Sequence, residues 1–178
     1  LIAVGHGCDN RKNKRFEGAF TVYKPRQSKR SNEPKGETSK IPFSYHLKDD
    51  VEITMDIVYE AKDAREWISD IKFSPDGKTL LVGSHDNSIY VYSTINKFKR
   101  LKRFSKHNSY ITHFDISKDS QYLRSNCGAY NLLFAGINSA QMIKASALRD
   151  VEWSTSTCTL GWDVQGIWPK YADGTDIN

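Results

Sequence analysis

Three groupings of side chains in this sequence could do chemistry. Ser84-His85-Asp86 sets the members of a hydrolytic triad side by side, and His6-Gly-Cys8 offers two metal-ligating side chains one residue apart. The third grouping is charge. Arg11-Lys-Asn-Lys-Arg15, the stretch Lys24 to Lys40, and Lys97 to Lys106 are basic clusters, the last with six Lys and Arg and no acid. The first two groupings fail on geometry. Neighbours along one turn cannot act in series as nucleophile, base and orienter. Two ligands without a second pair do not make a tetrahedral zinc site. No Gly-x-Ser-x-Gly, phosphate loop or His-Glu-x-x-His occurs either. No catalytic residue, cofactor or metal site is therefore expected, and basic side chains remain as the means of binding a partner.

What must position them is a repeat. Ile68-Ser-Asp-Ile-Lys-Phe-Ser-Pro-Asp-Gly-Lys-Thr-Leu80 recurs, 43 residues on, as Ile111-Thr-His-Phe-Asp-Ile-Ser-Lys-Asp-Ser-Gln-Tyr-Leu123. That period fits one four-stranded blade of a β-propeller. A 178-residue chain then holds an arc of about three to four blades, all-β in class, cut from a larger ring. Both ends are expected to fall inside blades. In Ser88-Ile-Tyr-Val-Tyr-Ser93 the period of two suits a strand packed on both faces. Pro75-Asp-Gly77 and His85-Asp-Asn87 supply turns.

The repeat divides the chain into a partial blade with a basic insertion (1–24), a mobile inter-blade loop (25–53), blades at 54–96 and 97–139, a shortened blade (140–161) and the start of another (162–178). The strand Asp56 to Glu60 is expected on the outside of the 54–96 blade, with Ile68 to Ser74 innermost. Residues 25–50 are rich in Lys, Ser, Glu, Asn and Pro, a composition that offers little to bury. The second blade is expected to be looser, because Arg124 and Ser125 replace Leu81 and Val82. Asp150-Val-Glu-Trp-Ser154 copies Asp70-Ile-Lys-Phe-Ser74 as an inner strand, after a strand at Met142 to Ala145. His113 stands where those repeats carry Asp70 and Asp150, which reads as a satisfied polar position.

Charge is uneven. Residues 1–50 carry eleven Lys and Arg against six Asp and Glu, while the remainder balances. The insertion and the turn at Asp86 join equivalent strands and should share a rim. The candidate partner-binding residues are thus Arg11, Lys12, Lys14, Arg15, Asp86, Lys97, Lys99, Arg100, Lys102 and Arg103. Three separated cysteines without a Cys-x-x-Cys pair favour a reducing, intracellular compartment. No apolar run approaches the roughly 20 residues that span a bilayer, so a membrane is not an expected partner.

Repeats of this length usually carry Gly-His before the inner strand and Trp-Asp after the third. Here only His107 and the turn residue Asp86 survive, which marks an atypical WD-repeat propeller. Asp70, His107, Trp153 and Trp168 are expected to serve structure. Trp67-Ile-Ser-Asp-Ile-Lys-Phe-Ser-Pro-Asp-Gly77 and Tyr110-Ile-Thr-His-Phe-Asp-Ile-Ser117 resemble the echinoderm microtubule-associated protein-like family. Glu152-Trp-Ser-Thr-Ser-Thr-Cys-Thr-Leu-Gly161, Gly166-Ile-Trp-Pro169 and Gly174-Thr-Asp-Ile-Asn178 are similar to that family's pattern near the end of its second propeller. The resemblance covers about residues 55–178. It implies a tandem propeller pair in a cytoskeletal protein, with tubulin or microtubules and other cytoskeletal proteins as partners. It also implies that a region upstream of the propellers supplies much of the lattice binding. The expected function is a non-enzymatic interaction scaffold. The alternative is a general protein- or nucleic-acid-binding platform using the basic loops, disfavoured because the basic residues fall in loops and one expected outer strand.

Overall fold

The computed structural model describes residues 1–6, 17–29, 44–46 and 51–159, and within them eleven strands and one 3₁₀ turn. The strands are β1 Ile2–Gly5, β2 Phe20–Lys29, β3 Ser44–His46, β4 Val51–Ala61, β5 Ile68–Phe73, β6 Thr79–Ser84, β7 Ser88–Ser93, β8 Lys99–Phe104, β9 Ile111–Ile116, β10 Tyr122–Cys127 and β11 Leu132–Gly136. They form three antiparallel sheets in the orders β1-β2-β4-β3, β5-β6-β7-β8 and β9-β10-β11.

The repeat is visible at the level of single hydrogen bonds. Ser74 Oγ donates to Asp76 (2.6 Å) and accepts from Thr79 N (3.0 Å). Forty-three residues on, Ser117 Oγ donates to Asp119 (2.5 Å) and accepts from Tyr122 N (2.9 Å). Each turn also needs one left-handed residue, Gly77 at φ 70° and Ser120 at φ 62°. The two turns touch, because Asp76 N donates to Ser120 Oγ at 3.1 Å. Equivalent turns thus stack along one end of adjacent sheets.

Sheet boundaries are displaced by one strand from the sequence repeat. The strand at Asp56 to Glu60, expected on the outside of the 54–96 blade, belongs to β4 and pairs with β2. The outer strand of the β5–β7 sheet is β8, from the following repeat. Connection length explains this: the turn 94–98 returns β8 directly along β7, whereas the longer link 105–110 carries the chain to the next sheet. The segment 25–53 is also corrected at its ends. Pro25 to Lys29 pair with Met55 to Val51 in the β2–β4 ladder, and Ser44 to His46 add β3. A ladder satisfies backbone groups without deep burial, so polar composition did not prevent it.

Alternation divides the core in two. Leu81, Ile89 and Val91 face the third sheet, meeting Ile111, Phe114, Ile116 and Leu123. Leu80, Val82, Tyr90 and Tyr92 face the first sheet, meeting Phe20 and Val22. Glycine sets the spacing at each seam. A Cβ on Gly83 would lie 3.0 Å from Ile111 Cγ2, and one on Gly5 would lie 2.5 Å from Ile68 Cγ2 and 2.8 Å from its Cβ. Ile68 is β-branched and cannot swing clear, so Gly5→Ala should destabilise the chain by about 1–3 kcal/mol. Urea unfolding checks this, with Gly83→Ala expected to be the milder change.

The third repeat departs from expectation. Met142 makes one isolated bridge, with Ala135, and Ala145–Leu148 is a 3₁₀ turn rather than a strand end. Asp150 to Ser154 form no inner strand of their own. They cross the end of β9, with Lys118 N donating to Glu152 O and Ser154 N to Ile116 O, both at 2.8 Å. Arg124, Ser125 and Asn126 are buried, which corrects the expectation of a looser blade. The polar strand β10 is a packed element.

Candidate partner-binding surface

Of the expected partner-binding residues, Arg11, Lys12, Lys14 and Arg15 lie outside the described residues, as does Trp168 of the structural set. The others do not form one face. Asp86 stands in the β6–β7 turn and Lys97 in the β7–β8 turn, at opposite ends of β7. Between them runs β8, Lys-Arg-Leu-Lys-Arg-Phe, with its first five residues exposed and Phe104 buried.

Within β8 the cations divide by facing. Arg100 Nη1 donates to Asp63 at 2.9 Å, and the other Asp63 oxygen accepts the Tyr92 hydroxyl at 2.8 Å. Arg103 donates to Ser88 Oγ at 3.1 and 2.9 Å and lies 5.4 Å from the Tyr90 ring centre. These arginines are fastened to the β7 side of the blade. Lys97, Lys99 and Lys102 are exposed and make no ion pair among the described residues. Leu101 is the extra residue of a bulge, since Val91 pairs with Lys102 and Tyr92 with Arg100. A bulged, lysine-bearing edge resists pairing with another strand. What β8 offers a partner is positive side chains, not backbone.

Asp86 is committed inward. Its Oδ2 accepts Arg65 N at 3.0 Å and the Tyr90 hydroxyl at 2.7 Å. Burial and this carboxylate push the Tyr90 hydroxyl up to about 12. Asp86 therefore anchors the turn rather than projecting as a contact. Ser84 Oγ donates to Glu66 O at 3.0 Å, and His85 is stacked between rings, so the three neighbours act separately.

The structural set holds in different ways. Asp70 accepts Lys72 Nζ at 2.6 Å and Phe114 N at 3.1 Å, tying β5 to β9, while His113 Nδ1 stands 3.7 Å away. Buried His107 bonds through Nε2 to Ser125 Oγ at 2.7 Å. Its repeat equivalents in the preceding blade are Ala64 and Val82, both in the core, so one blade uses a polar pair where the other packs apolar groups. Trp153 lies beside Phe134, and Arg124 sits 4.7 Å above its ring.

Sequence reasoning missed the strongest cluster. Asp115 and Arg124 are direct cross-strand partners, 3.0 Å apart and 0 % and 3 % exposed. Thr155 and Thr157 hydroxyls also donate to Asp115, at 2.6 and 2.8 Å, and so do the backbone N–H groups of Thr157 and Cys158, at 2.9 and 3.0 Å. Burial opposes the Asp115 charge, but these donors overcome it and hold the carboxyl well below its usual range. Burial, reinforced by Asp115, pushes the Cys158 thiol up, which makes it inert. The signal was available: an acid and a base at facing positions of adjacent strands. No group of three or more His, Cys, Asp or Glu that could hold a metal occurs among the described residues.

Antiparallel sheets packed face to face in repeat register define a section of an atypical WD-repeat β-propeller. Residues 48–178 match the family described as Echinoderm microtubule-associated protein second beta-propeller, and the chain belongs to that family. It is 46 % identical over 130 residues to Echinoderm microtubule-associated protein-like 1 of Mus musculus, covering 70 % of this chain and 16 % of that protein. It is 47 % identical over 129 residues to Echinoderm microtubule-associated protein-like 2 of Mus musculus, covering 70 % of this chain and 20 % of that protein. The chain thus spans a fifth or less of these relatives. A solved structure of U3-55K overlaps 43 % of this chain and 25 % of its own, at 23 % identity and a TM-score of 0.41.

Proposed function

We propose that this chain is a non-enzymatic section of scaffold in a microtubule-associated protein, and that its basic outer strand contributes to holding tubulin. Relatives named for microtubule association support the class. The observation that carries the contact is β8 with its flanking turn: Lys97, Lys99 and Lys102 are exposed and unpaired among the described residues, beside two fastened arginines. Such a strip suits an acidic surface, and tubulin's outer face is acidic. This reading puts the chain on the cytoskeleton, in the cytoplasm.

Exposed charges contribute about 0.2–1 kcal/mol each, so three lysines together account for roughly tenfold in affinity. Co-sedimentation with stabilised microtubules and size-exclusion with free tubulin, each at low and high salt, test the reading. Changing Lys97, Lys99 and Lys102 to Ser should lower binding about tenfold and flatten its salt dependence. Binding indifferent to both salt and these substitutions removes β8 from the interface. A steep salt slope with RNA and none with tubulin favours the nucleic-acid platform instead.

A further inference from the structure

Trp67 and Tyr110 are repeat equivalents, each the last residue before an inner strand, and each remains exposed, at 38 % and 44 %. Their carbonyls accept the N–H groups of His85 (2.8 Å) and Gly128 (2.9 Å), the matching residues of the β6–β7 and β10–β11 turns. His85 fills the space between the rings. Its centre lies 5.7 Å from Trp67, nearly parallel at 24°, and 4.8 Å from Tyr110 at 33°. Beneath Tyr110 a Cβ on Gly128 would come within 2.4 Å of the ring, so only glycine leaves room for it. The three rings form a continuous row across the seam between two blades.

Two further observations single out this rim. Tyr130, in the same turn as Gly128, holds φ at 59° with 84 % of its surface exposed, where the equivalent residue is Asn87 at φ 65°. A bulky side chain at such an angle is strained and here packs against little. The rim is also biased in charge. Asp63 and Asp86 are turned inward onto Tyr92, Arg100, Arg65 N and Tyr90, while Arg65 and Lys106 are exposed with no side-chain partner among the described residues. Glu66, exposed beside Arg65, offsets part of that charge.

We propose that Trp67, His85 and Tyr110 anchor an extended acidic peptide bearing an aromatic side chain, its carboxylates drawn to Arg65 and Lys106. The ring stacks on the exposed faces of the row, as aromatic anchors do at interfaces. The charges orient the peptide and give its binding a salt dependence. This rests on the interaction-module reading, but neither on β8 nor on tubulin.

Fluorescence anisotropy of the whole chain with labelled probes tests it. The probes are an acidic decapeptide with a central Phe, an all-Glu decapeptide, and a uridine decanucleotide. The Phe peptide should bind at least about tenfold tighter than the all-Glu peptide. Trp67→Ala with Tyr110→Ala should erase that preference, and Arg65→Ser with Lys106→Ser should weaken both peptides alike. Lys99→Ser with Lys102→Ser should leave the preference intact, and the ring variant should keep the salt-sensitive tubulin binding, so the two readings fail separately. In the unsubstituted chain the Phe peptide should slow hydrogen exchange at the His85 and Gly128 amides, a readout independent of how the variants fold. Equal binding of both peptides, a preference that survives loss of the rings, or unchanged exchange at those amides overturns the proposal. Tighter, ring-dependent binding of the oligonucleotide overturns it in favour of a base-stacking surface.

Discussion

Asp115→Ala should cost about 3–5 kcal/mol of folding stability, a large share of an ordinary domain's margin of about 5–15 kcal/mol. Removing the carboxylate takes from Arg124, which is 3 % exposed and packed over Trp153, its cross-strand ion-pair partner. It also orphans the donors of Thr155, Thr157 and Cys158 that hold 155–158 across the end of β9. Urea unfolding gives the loss. The informative companion is Asp115→Leu with Arg124→Met, which removes both charges and should recover much of the stability. If the double variant is no better than Asp115→Ala, the ion pair is not what the network depends on.

Two buried polar sites, Asp115 and His107, set the acid response. Asp115 is held below its ordinary range in the fold, so its contribution is present above the unfolded value near 3.9 and is lost as pH falls below it. Burial lowers His107 to about 4, and its Nδ1 has no hydrogen-bond partner among the described residues, so a proton there has no acceptor. Its contribution is complete above the unfolded value near 6.5 and declines as pH falls towards 4. Stability should therefore fall in two stages on acidification, the first removed by a His107→Ala, Ser125→Val double change that substitutes the apolar pairing of Ala64 and Val82.

Much of the architecture is legible because propeller repeats are written locally. The 43-residue period, the Ser-x-Asp turns at 74–76 and 117–119, and the alternation of Ile89 and Val91 against Tyr90 and Tyr92 each specify geometry within a few residues. Strand pairing is not local. Nothing in Asp56 to Glu60 says that its partner is β2 rather than β5, and the β2–β4 ladder runs through residues too polar to advertise themselves. Arg124 misled for a related reason. A charge in a strand reads as a loosening of the blade until the facing residue is identified, and Asp115 is its register partner. The candidate surface was legible as composition, but not the division of β8 into fastened arginines and free lysines, which depends on Asp63 and Ser88. The exposed aromatic row was less legible still, because repeat aromatics usually fill space between blades.

Phe114→Ala is the second large expected effect, about 3–5 kcal/mol, since the ring is fully buried at the seam between the β5–β8 and β9–β11 sheets. Its ring also carries Lys72 Nζ at 4.8 Å, and its backbone N–H bonds Asp70, so the position joins apolar packing to the inner charge network. Phe114→Leu should cost markedly less. A double-mutant cycle locates the effect at the seam rather than within one sheet. A Cβ on Gly83 would sit 3.2 Å from the Phe114 ring, so Gly83→Ala crowds this side chain directly. Leucine at 114 gives that methyl room, and the pair Gly83→Ala with Phe114→Leu should cost less than the sum of the single changes by at least about 0.5 kcal/mol. Strict additivity would mean that Gly83 and Phe114 do not share this contact across the seam, and that the loss at Phe114→Ala arises within its own sheet.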